Sequence, residues 1–388
     1  MTPLTELLDR HLQAGALPGA VALVASGDDV EVAVIGDRGL GGAPMTRDSI
    51  FRVASVTKPI TAAVVMTLVD DGTLALDDPI ATWLPELASP MVVRTPEAAV
   101  DDVVPARRPI TVGDLLTFRG GHGFPADFAL PAVAPLLAQL RQGPPAPQQS
   151  APVDDWMRTL ATIPLLHQPG DTWLYNTGSD ILGVLVSRAT AEPFDDVLAA
   201  RIFGPLGMSD TGFHVPAGRL DRFTTSYQPD PDGSGLTVVD RPDGQWSTRP
   251  AFPSGAGGLV STVDDLLAFQ RMLLAGGVRA DGTRLLNPES VTLMTTDHLT
   301  ARQRAASRLF LEGQGWGFGG SVDVERIDPW NVPGRYGWVG GSGTAAHIIP
   351  GGGVTILLTQ VEMTSPTPPT IMREFWAVAA QATAATPR

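Results

Sequence analysis

"FRVASVTKPITAAVVM", residues 51–66, contains the only lysine of this 388-residue chain, Lys58; the other basic residues among its 27 Lys and Arg are all arginine. From Lys58 the sequence is apolar on nearly every side until Gly72, a pattern typical of a buried central helix. A cation in the first turn of such a helix meets the positive end of the helix dipole and an apolar interior. A surface charge is therefore a poor explanation for this lysine.

Ser55 precedes Lys58 by three residues, and residues at this spacing share one face of a helix. A serine hydroxyl needs a nearby base or cation to act as a nucleophile at neutral pH. Lysine can lose its proton when it is buried, whereas arginine stays charged, which gives a reason for a lysine in a chain that otherwise uses arginine. Because S-x-x-K also occurs by chance, the motif alone leaves a solvated surface lysine and a catalytic pair as alternatives.

The composition narrows the class of protein. A chain of 388 residues is longer than one hydrophobic core usually supports, so two lobes are expected. The absence of cysteine excludes disulfides, thiolate nucleophiles and cysteine-bound zinc. A formal charge of −14 argues against nucleic acid and anionic membranes as partners, and the six scattered histidines give no metal-binding spacing.

The first residues, MTPLTELLDRHLQAGALPG, predict an amphipathic helix and not a signal peptide, because they have no basic start and charges interrupt the apolar residues. Leu4, Leu7, Leu8, His11 and Leu12 fall on one face of this helix. No uncharged apolar run in the sequence reaches the length of a membrane span. We therefore expect a cytoplasmic protein without a membrane partner.

Predicted strands lie at both ends of the chain, and most predicted helices lie in the middle. Two β-rich runs flank Gly27 and predict a hairpin, and further strands are predicted at 319–326, 344–349 and 353–360, before a closing helix near 368–384. This order predicts a sheet assembled from both termini, with a mostly helical lobe inserted between its halves.

The inserted lobe sets the predicted domain boundaries. The predicted domains are an α/β sheet domain, 1–60 and 250–388, and a mostly helical domain, 61–249, with the functional site between them. Residues 119–154 are rich in Pro, Gly and Gln and are predicted to form a long surface excursion around a helix at 131–141. Substrate specificity is expected to depend on the loops 119–155 and 228–258.

Five segments, in order, carry a family resemblance that extends from about residue 15 to residue 360. They are FRVASVTKPITAAVVMTLVDDGTLALDDPIATWLPE, RPITVGDLLTFRGG, PGDTWLYNTGSDILG, GAGGLVSTVDDLLAF and YGWVGGSGTAAHIIP. Together they resemble the serine β-lactamase and penicillin-binding superfamily, of which S-x-x-K is a signature. The resemblance implies an α/β (α+β) fold of β-lactamase type, with an antiparallel sheet flanked by helices. Its details favour the class C-like esterases called family VIII carboxylesterases.

The resemblance implies roles for three side chains. Ser55 matches the nucleophile, Lys58 the lysine of S-x-x-K, and Tyr175 the tyrosine of Y-x-N, which takes part in proton transfer beside the lysine. A phenol with an ordinary pKa of about 10 needs a neighbouring ammonium to become an anion at neutral pH, and Lys58 is the expected neighbour. Because the chain is one residue shorter than usual after Tyr175, the place of the motif's Asn falls either to Asn176 or to Thr177.

The third motif of the superfamily, K-T-G or H-T-G, falls on Trp338-Val339-Gly340, where the cation and the hydroxyl are both absent. This W-x-G form resembles certain esterases and not β-lactamases; the structural alternative for Trp338 is a core residue on an edge strand. By resemblance, the amides of Ser55 and Gly341 form an oxyanion hole for the tetrahedral intermediate. We expect the glycines of this strand to let a substrate lie against its backbone.

The substrate-binding candidates are therefore Trp338, Val339, Gly340, Asn176 and His122, with packing inside its own loop an equal alternative for His122. We predict a serine hydrolase, a carboxylesterase for small or medium acyl esters, that forms an acyl-serine and needs no metal or organic cofactor. The alternatives on the same site are an acyltransferase, a D-amino-acid peptidase or amidase, and a weak β-lactamase. An inactive binding protein is the alternative of another class. The physiological ester and the oligomeric state stay open.

Overall fold

The computed structural model describes residues 2–384 of the chain. Its helices are α1 (Pro3–Gln13), α2 (Thr57–Asp70), α3 (Val112–Leu116), α4 (Ala134–Ala138), α5 (Val153–Thr162), α6 (Thr177–Thr190), α7 (Phe194–Leu198), α8 (Gly204–Leu206), α9 (Val263–Leu274), α10 (Pro288–Thr295), α11 (Ala301–Ala306), α12 (Arg308–Leu311) and α13 (Thr370–Ala384). Its strands are β1 (Gly19–Ser26), β2 (Asp29–Gly36), β3 (Phe51–Arg52), β4 (Met91–Val93), β5 (Val103–Pro105), β6 (Ser226–Pro229), β7 (Leu236–Asp240), β8 (Val260–Ser261), β9 (Gly315–Trp316), β10 (Ser321–Val322), β11 (Tyr336–Gly340), β12 (Thr344–Ile349) and β13 (Gly353–Thr359).

The main sheet joins the two ends of the chain. Its seven strands lie in the order β2-β1-β13-β12-β11-β10-β9, and each neighbouring pair is antiparallel. The N-terminal hairpin turns at Gly27, which has φ +59, and its strand β1 pairs with β13 from Ala20–Thr359 to Ser26–Gly353. A non-glycine residue at this left-handed position would be strained. The predicted sheet built from both termini is confirmed.

Both faces of this sheet are covered, so its central strands β1 and β13 are mostly apolar and are buried along almost their whole length. One face packs against α1 and α13, where Leu8 and Phe375 are fully buried beside Leu357 of β13. The other face carries Leu23 and Ile356 into a larger core that α2 and α9 share. Helices on both faces of an antiparallel sheet are the predicted architecture.

Helix α2 is the central helix of the molecule, as its sequence predicts. Every residue from Thr57 to Leu68 is buried, because the helix packs against the sheet on one side and α6 on the other. Burying a Val or Leu side chain stabilises the fold by about 1.5–3 kcal/mol, so such a helix has a strong preference for this place. The same surroundings remove Lys58 from water.

The large core runs without a break from sheet residues such as Val21 into helical-lobe residues such as Leu185. The core therefore does not mark where one lobe ends, and the domain boundaries at residues 60 and 250 stay a prediction. Within residues 2–384, no helix is both long and apolar enough to cross a membrane.

Two predicted elements are shorter than expected. Of the strand predicted at 319–326, only Ser321–Val322 forms β10, because Gly319 is in the left-handed region at φ +74 and lies against the backbone of Lys58. Of the helix predicted at 131–141, only α4 forms, and Arg141 ends this region with φ +51. The next residue, Gln142, is buried, so the excursion does not lie wholly at the surface.

Candidate functional site

A short strained turn presents Ser55 to a cleft. After β3 the chain turns at Ala54, which has φ +42, a conformation that is rare for an alanine. A tight 3₁₀ turn follows at Ala54–Val56, and α2 begins at Thr57. Thr57 Oγ1 holds the turn, since it donates to the Ala54 carbonyl at 2.6 Å and accepts from Leu259 N at 3.2 Å. Ser55 is left half-buried at the wall of the cleft.

The Lys58 amine lies directly behind this serine. Its Nζ atom is 2.7 Å from Ser55 Oγ and donates to the Ala256 carbonyl at 2.5 Å, and the side chain is fully buried. Burial lowers the pKa of Lys58 to about 7, although the carboxylate of Asp180 acts in the opposite direction. Near neutral pH a large share of the amine is therefore unprotonated and can accept a proton.

Tyr175 and Trp338 complete the run of polar atoms on the other side of Ser55. Tyr175 Oη lies 2.9 Å from Ser55 Oγ, and Trp338 Nε1 lies 2.8 Å from Tyr175 Oη. An indole N–H can only donate, so the tyrosine oxygen accepts this bond and its own proton points to Ser55. With the amine unprotonated, the serine proton then points to Lys58. The indole N–H therefore fixes the direction of donation along this chain of hydrogen bonds: each group donates to the next, ending at the Lys58 amine.

The expected tyrosine anion is not supported by these surroundings. Burial raises the pKa of Tyr175 to about 12, although its hydrogen bonds with Ser55 and Trp338 act to lower it. Lys58 Nζ lies over the tyrosine ring, 4.7 Å from its centroid, and not beside the oxygen. Of the two groups beside Ser55, these surroundings therefore favour the unprotonated form for the Lys58 amine and the protonated form for the Tyr175 phenol. The role of Tyr175 in proton transfer beside Lys58 stays a prediction.

Asn176 and Thr177 have separate places. Asn176 lines the cleft in a strained conformation, with φ +83 and ψ −69, at the start of α6. Thr177 is fully buried and donates through Oγ1 to Gln142 Oε1 at 2.5 Å. Of the two candidates for the motif's Asn, only Asn176 therefore faces the space that a substrate can enter.

The third-motif strand, β11, lies inside the sheet and not at its edge. Trp338 is buried and Val339 half-buried, and both line the cleft. Gly341 also faces it, since a Cβ built there meets no atom within 4 Å. Gly340 does not: a Cβ there would lie 2.3 Å from the Val53 carbonyl, so this glycine allows β11 to approach the turn before Ser55. Its predicted substrate contact is corrected.

His122 is likewise not part of the cleft. Its imidazole is buried, and Nε2 is 2.9 Å from the Ile163 carbonyl. Burial lowers the pKa of His122 to about 4, so the ring is neutral. The ring thus has a packing role, the alternative to substrate binding, but its partner is the distant Ile163 and not a residue of its own loop.

The cleft has a volume of about 350 Å³, and eight aromatic side chains contribute to its lining. Its aromatic side chains, besides Tyr175, are Phe124, Phe128, Trp156, Trp246, Phe252, Phe310 and Trp338. Two cations lie on its wall: Arg52 is paired with Asp240 at 2.5 Å, and Arg141 is exposed and donates to Gln149 at 2.7 Å. Such a cleft favours a neutral apolar ligand.

Sequence reasoning missed Asp180, a buried carboxylate at the wall of the cleft. Its two oxygens accept hydrogen bonds from Ser254, Ala256 and Gln142. The available signal was an acidic residue in the first turn of the mostly buried α6, five positions after Tyr175. Its partners are distant in sequence, so the spacing alone could not reveal the network.

Three comparisons place this geometry among known proteins. The Beta-lactamase family model matches residues 4–381. Protein Rv1367c of Mycobacterium tuberculosis is 42% identical over 85% of this chain and 82% of its own length, and esterase EstB of Burkholderia gladioli is 33% identical over 81% and 78%. The solved structure of EstCE1, "a hydrolase with promiscuous acyltransferase activity", superimposes with a TM-score of 0.78 at 24% identity and covers 97% of both chains. The chain therefore belongs to the Beta-lactamase family and is a serine hydrolase or acyltransferase of the β-lactamase superfamily.

Proposed function

We propose that this protein is a carboxylesterase that cleaves neutral, apolar acyl esters through an acyl-Ser55 intermediate. The observation that carries the proposal is the run of hydrogen bonds from Trp338 Nε1 through Tyr175 Oη and Ser55 Oγ to Lys58 Nζ, at 2.8, 2.9 and 2.7 Å. It places a serine hydroxyl between a neutral phenol and an amine whose pKa is about 7. A serine nucleophile at neutral pH requires such an adjacent base.

Acylation follows from these contacts. Ser55 Oγ forms a bond to the ester carbonyl carbon while its proton passes to Lys58 Nζ. The carbonyl oxygen becomes an oxyanion, for which the amides of Ser55 and Gly341 are the proposed donors. The bond to the alcohol oxygen then breaks, and the alcohol leaves with the proton that the amine took up. Tyr175 Oη, beside Ser55 Oγ, is placed to relay that proton.

Deacylation repeats the sequence with water in place of the serine. Water gives a proton to the Lys58 amine while its oxygen attacks the acyl carbon. The bond to Ser55 Oγ breaks, the serine recovers the proton, and the carboxylic acid leaves. An alcohol in place of water would form a new ester, so hydrolysis and acyl transfer differ only in the acceptor.

The preference for neutral esters rests on the lining of the cleft. Trp338 and Val339 stand where related enzymes of the superfamily have a cation and a hydroxyl, and Arg52 is already paired with Asp240. A hydrogen bond to a charged group contributes about 1.5–3 kcal/mol, which corresponds to a tenfold to hundredfold change in affinity. Esterase EstB, a relative at 33% identity, supports the same choice.

The test compares two substrates on one preparation of the full chain. We expect kcat/KM for p-nitrophenyl butyrate to exceed that for a chromogenic cephalosporin at least about tenfold. Ser55→Ala should remove both activities and stay folded, since a small change at a helix start costs about 1 kcal/mol. A faster reaction with the cephalosporin would instead support a β-lactamase. Full activity in Ser55→Ala would exclude the acyl-serine, and added butanol measures the share of acyl transfer.

A further inference from the structure

A buried polar network connects Lys58 to the helical lobe. Asp180 is 5% exposed, and its Oδ1 atom accepts from Ser254 Oγ at 2.6 Å and from Ala256 N at 3.0 Å. The carbonyl of the same Ala256 accepts the proton of Lys58 Nζ at 2.5 Å. One residue of the chain therefore binds the carboxylate through its N–H and the amine through its carbonyl.

Gln142 extends this network to the wall of the cleft. Its Nε2 donates to Asp180 Oδ2 at 3.0 Å, and its Oε1 accepts from Thr177 Oγ1. The reverse orientation of the amide would place two oxygens against each other, so the contacts fix its direction. Both oxygens of Asp180 thus face donors, as an ionised carboxylate requires. Burial raises the pKa of Asp180, and these hydrogen bonds together with the charge of Lys58 oppose that rise.

We propose that Asp180 is a positioning residue, which holds the Lys58 amine against Ser55 through Ala256 and supplies the countercharge when the amine takes up a proton. The inference rests on the proposed function, in which Lys58 is the base for Ser55. The carboxylate touches no reacting atom. It acts through the 254–256 segment, which lies against α6 at Gly255, where a Cβ would come within 2.4 Å of the Ser179 carbonyl.

Asp180 shifts the pKa of the Lys58 amine in one direction, upwards. The groups that face Lys58 Nζ are Ser55, the ring of Tyr175 and, beyond Ala256, Asp180. Asp180 is the charged one, and its carboxylate raises the pKa of Lys58 against the effect of burial. A neutral residue at position 180 would let that pKa fall further. The amine would then be free at lower pH but would be a weaker base.

The test is Asp180→Asn in the full chain, with Asp265→Asn as its matched control. Asp265 is also a buried carboxylate in the first turn of a helix, where it accepts from Thr211 Oγ1 and Asp210 N, but it does not line the cleft. The readout is the rate at which a fluorophosphonate labels Ser55, followed from pH 5 to 9. In this reaction the Ser55 Oγ–P bond forms, fluoride leaves, and the serine proton goes to Lys58, so no ester substrate has to be known.

We expect Asp180→Asn to move the acid limb of the labelling rate to lower pH and to lower its plateau about tenfold or more, within the range of a weakened base. Asp265→Asn should leave both unchanged. An unmoved limb with a full plateau in a folded Asp180→Asn would overturn the inference alone. Failure of the wild-type chain to label at Ser55 would overturn the proposed function as well.

If Asp180→Asn does not fold, Ser254→Ala provides a second test of the role of Asp180. This change removes a hydrogen bond that lowers the pKa of Asp180 and alters no charge directly. A less ionised Asp180 raises the pKa of Lys58 less. The acid limb of the labelling rate should therefore move to lower pH, as in Asp180→Asn, but by a smaller amount. A wild-type limb and plateau in Ser254→Ala would then count against the role of Asp180.

Discussion

Two buried cations, Arg52 and Lys58, lie six residues apart in one segment, yet their surroundings differ. Arg52 is 5% exposed; its Nε and Nη2 atoms donate to Asp240 Oδ2 at 3.1 and 2.5 Å, and Nη1 donates to the Thr224 carbonyl at 2.6 Å. Its guanidinium also lies 4.0 Å from the centroid of the Phe223 ring. Lys58 is 0% exposed, and within residues 2–384 its hydrogen-bond partners are the Ala256 carbonyl and Ser55 Oγ.

The comparison shows that burial has different results for the two side chains: Arg52 keeps its charge in an ion pair, whereas Lys58 becomes able to accept a proton. Burial lowers the pKa of Arg52 too, but Asp240 opposes the change, and a guanidinium starts so far above neutrality that it stays charged. Lys58 starts lower and has no carboxylate in direct contact, so its pKa reaches about 7. An arginine suits a buried ion pair, whereas a site that must release and accept a proton needs a lysine.

The largest expected effect is the loss of turnover when Lys58 is replaced by arginine, the residue type found at position 52. Lys58→Arg keeps the positive charge but cannot lose a proton, and its planar head group does not fit the space of an amine. We expect turnover of a nitrophenyl ester to fall at least about a hundredfold, as for other lost acid–base groups. The measurement is kcat with the fold checked by circular dichroism. Near-normal turnover would mean that Lys58 acts only through its charge.

The reciprocal change tests the structural cation. Arg52→Met leaves Asp240 buried without its partner, which should lower the free energy of unfolding by about 3–5 kcal/mol. Arg52→Lys is the matched control: it restores the charge but not the fork-shaped contact, so it should lose less. Urea unfolding measures both. An Arg52→Met protein as stable as the wild type would remove the distinction drawn between the two cations.

The pH dependence of kcat/KM is expected to show the smallest effect, but it tests most directly whether Lys58 is the base. If the free Lys58 amine is required, kcat/KM should fall about tenfold per pH unit below pH 7 as the amine becomes protonated. Tyr175→Phe should lower the rate and keep the same acid limb, because the raised pKa of Tyr175 lies at about 12. A flat profile down to pH 5 would show that another group is the base, as would loss of the limb in Tyr175→Phe.

Local patterns predicted the parts of the fold that depend on neighbours in the chain. The hairpin at Gly27, the buried face of α1 at Leu4, Leu7 and Leu8, and the burial of α2 all follow from residue spacing. The same spacing predicted that Ser55 and Lys58 would meet, and they do, at 2.7 Å. The S-x-x-K signal needed no knowledge of distant residues.

Longer-range features could be predicted only in part, because they depend on contacts between distant segments. Tyr175 and Trp338 were singled out from motifs, but the hydrogen bond between them joins residues 163 positions apart. His122 and Gly340 looked like substrate contacts in the sequence, and the tertiary packing turned both away from the cleft. Asp180 gave only a weak signal, since its partners come from two segments distant in sequence, Gln142 and residues 254–256.

The sequence by itself determined that a lone lysine would stand one helical turn after a serine, in a helix too apolar to lie at the surface. Only the tertiary structure decided how strongly the pKa of that lysine is lowered. The desolvation that lowers its pKa comes from the sheet and α6 around α2, while the opposing charge comes from Asp180, 122 positions further along the chain. Spacing along a helix is local, but the cost of a buried charge depends on everything that replaces water around it.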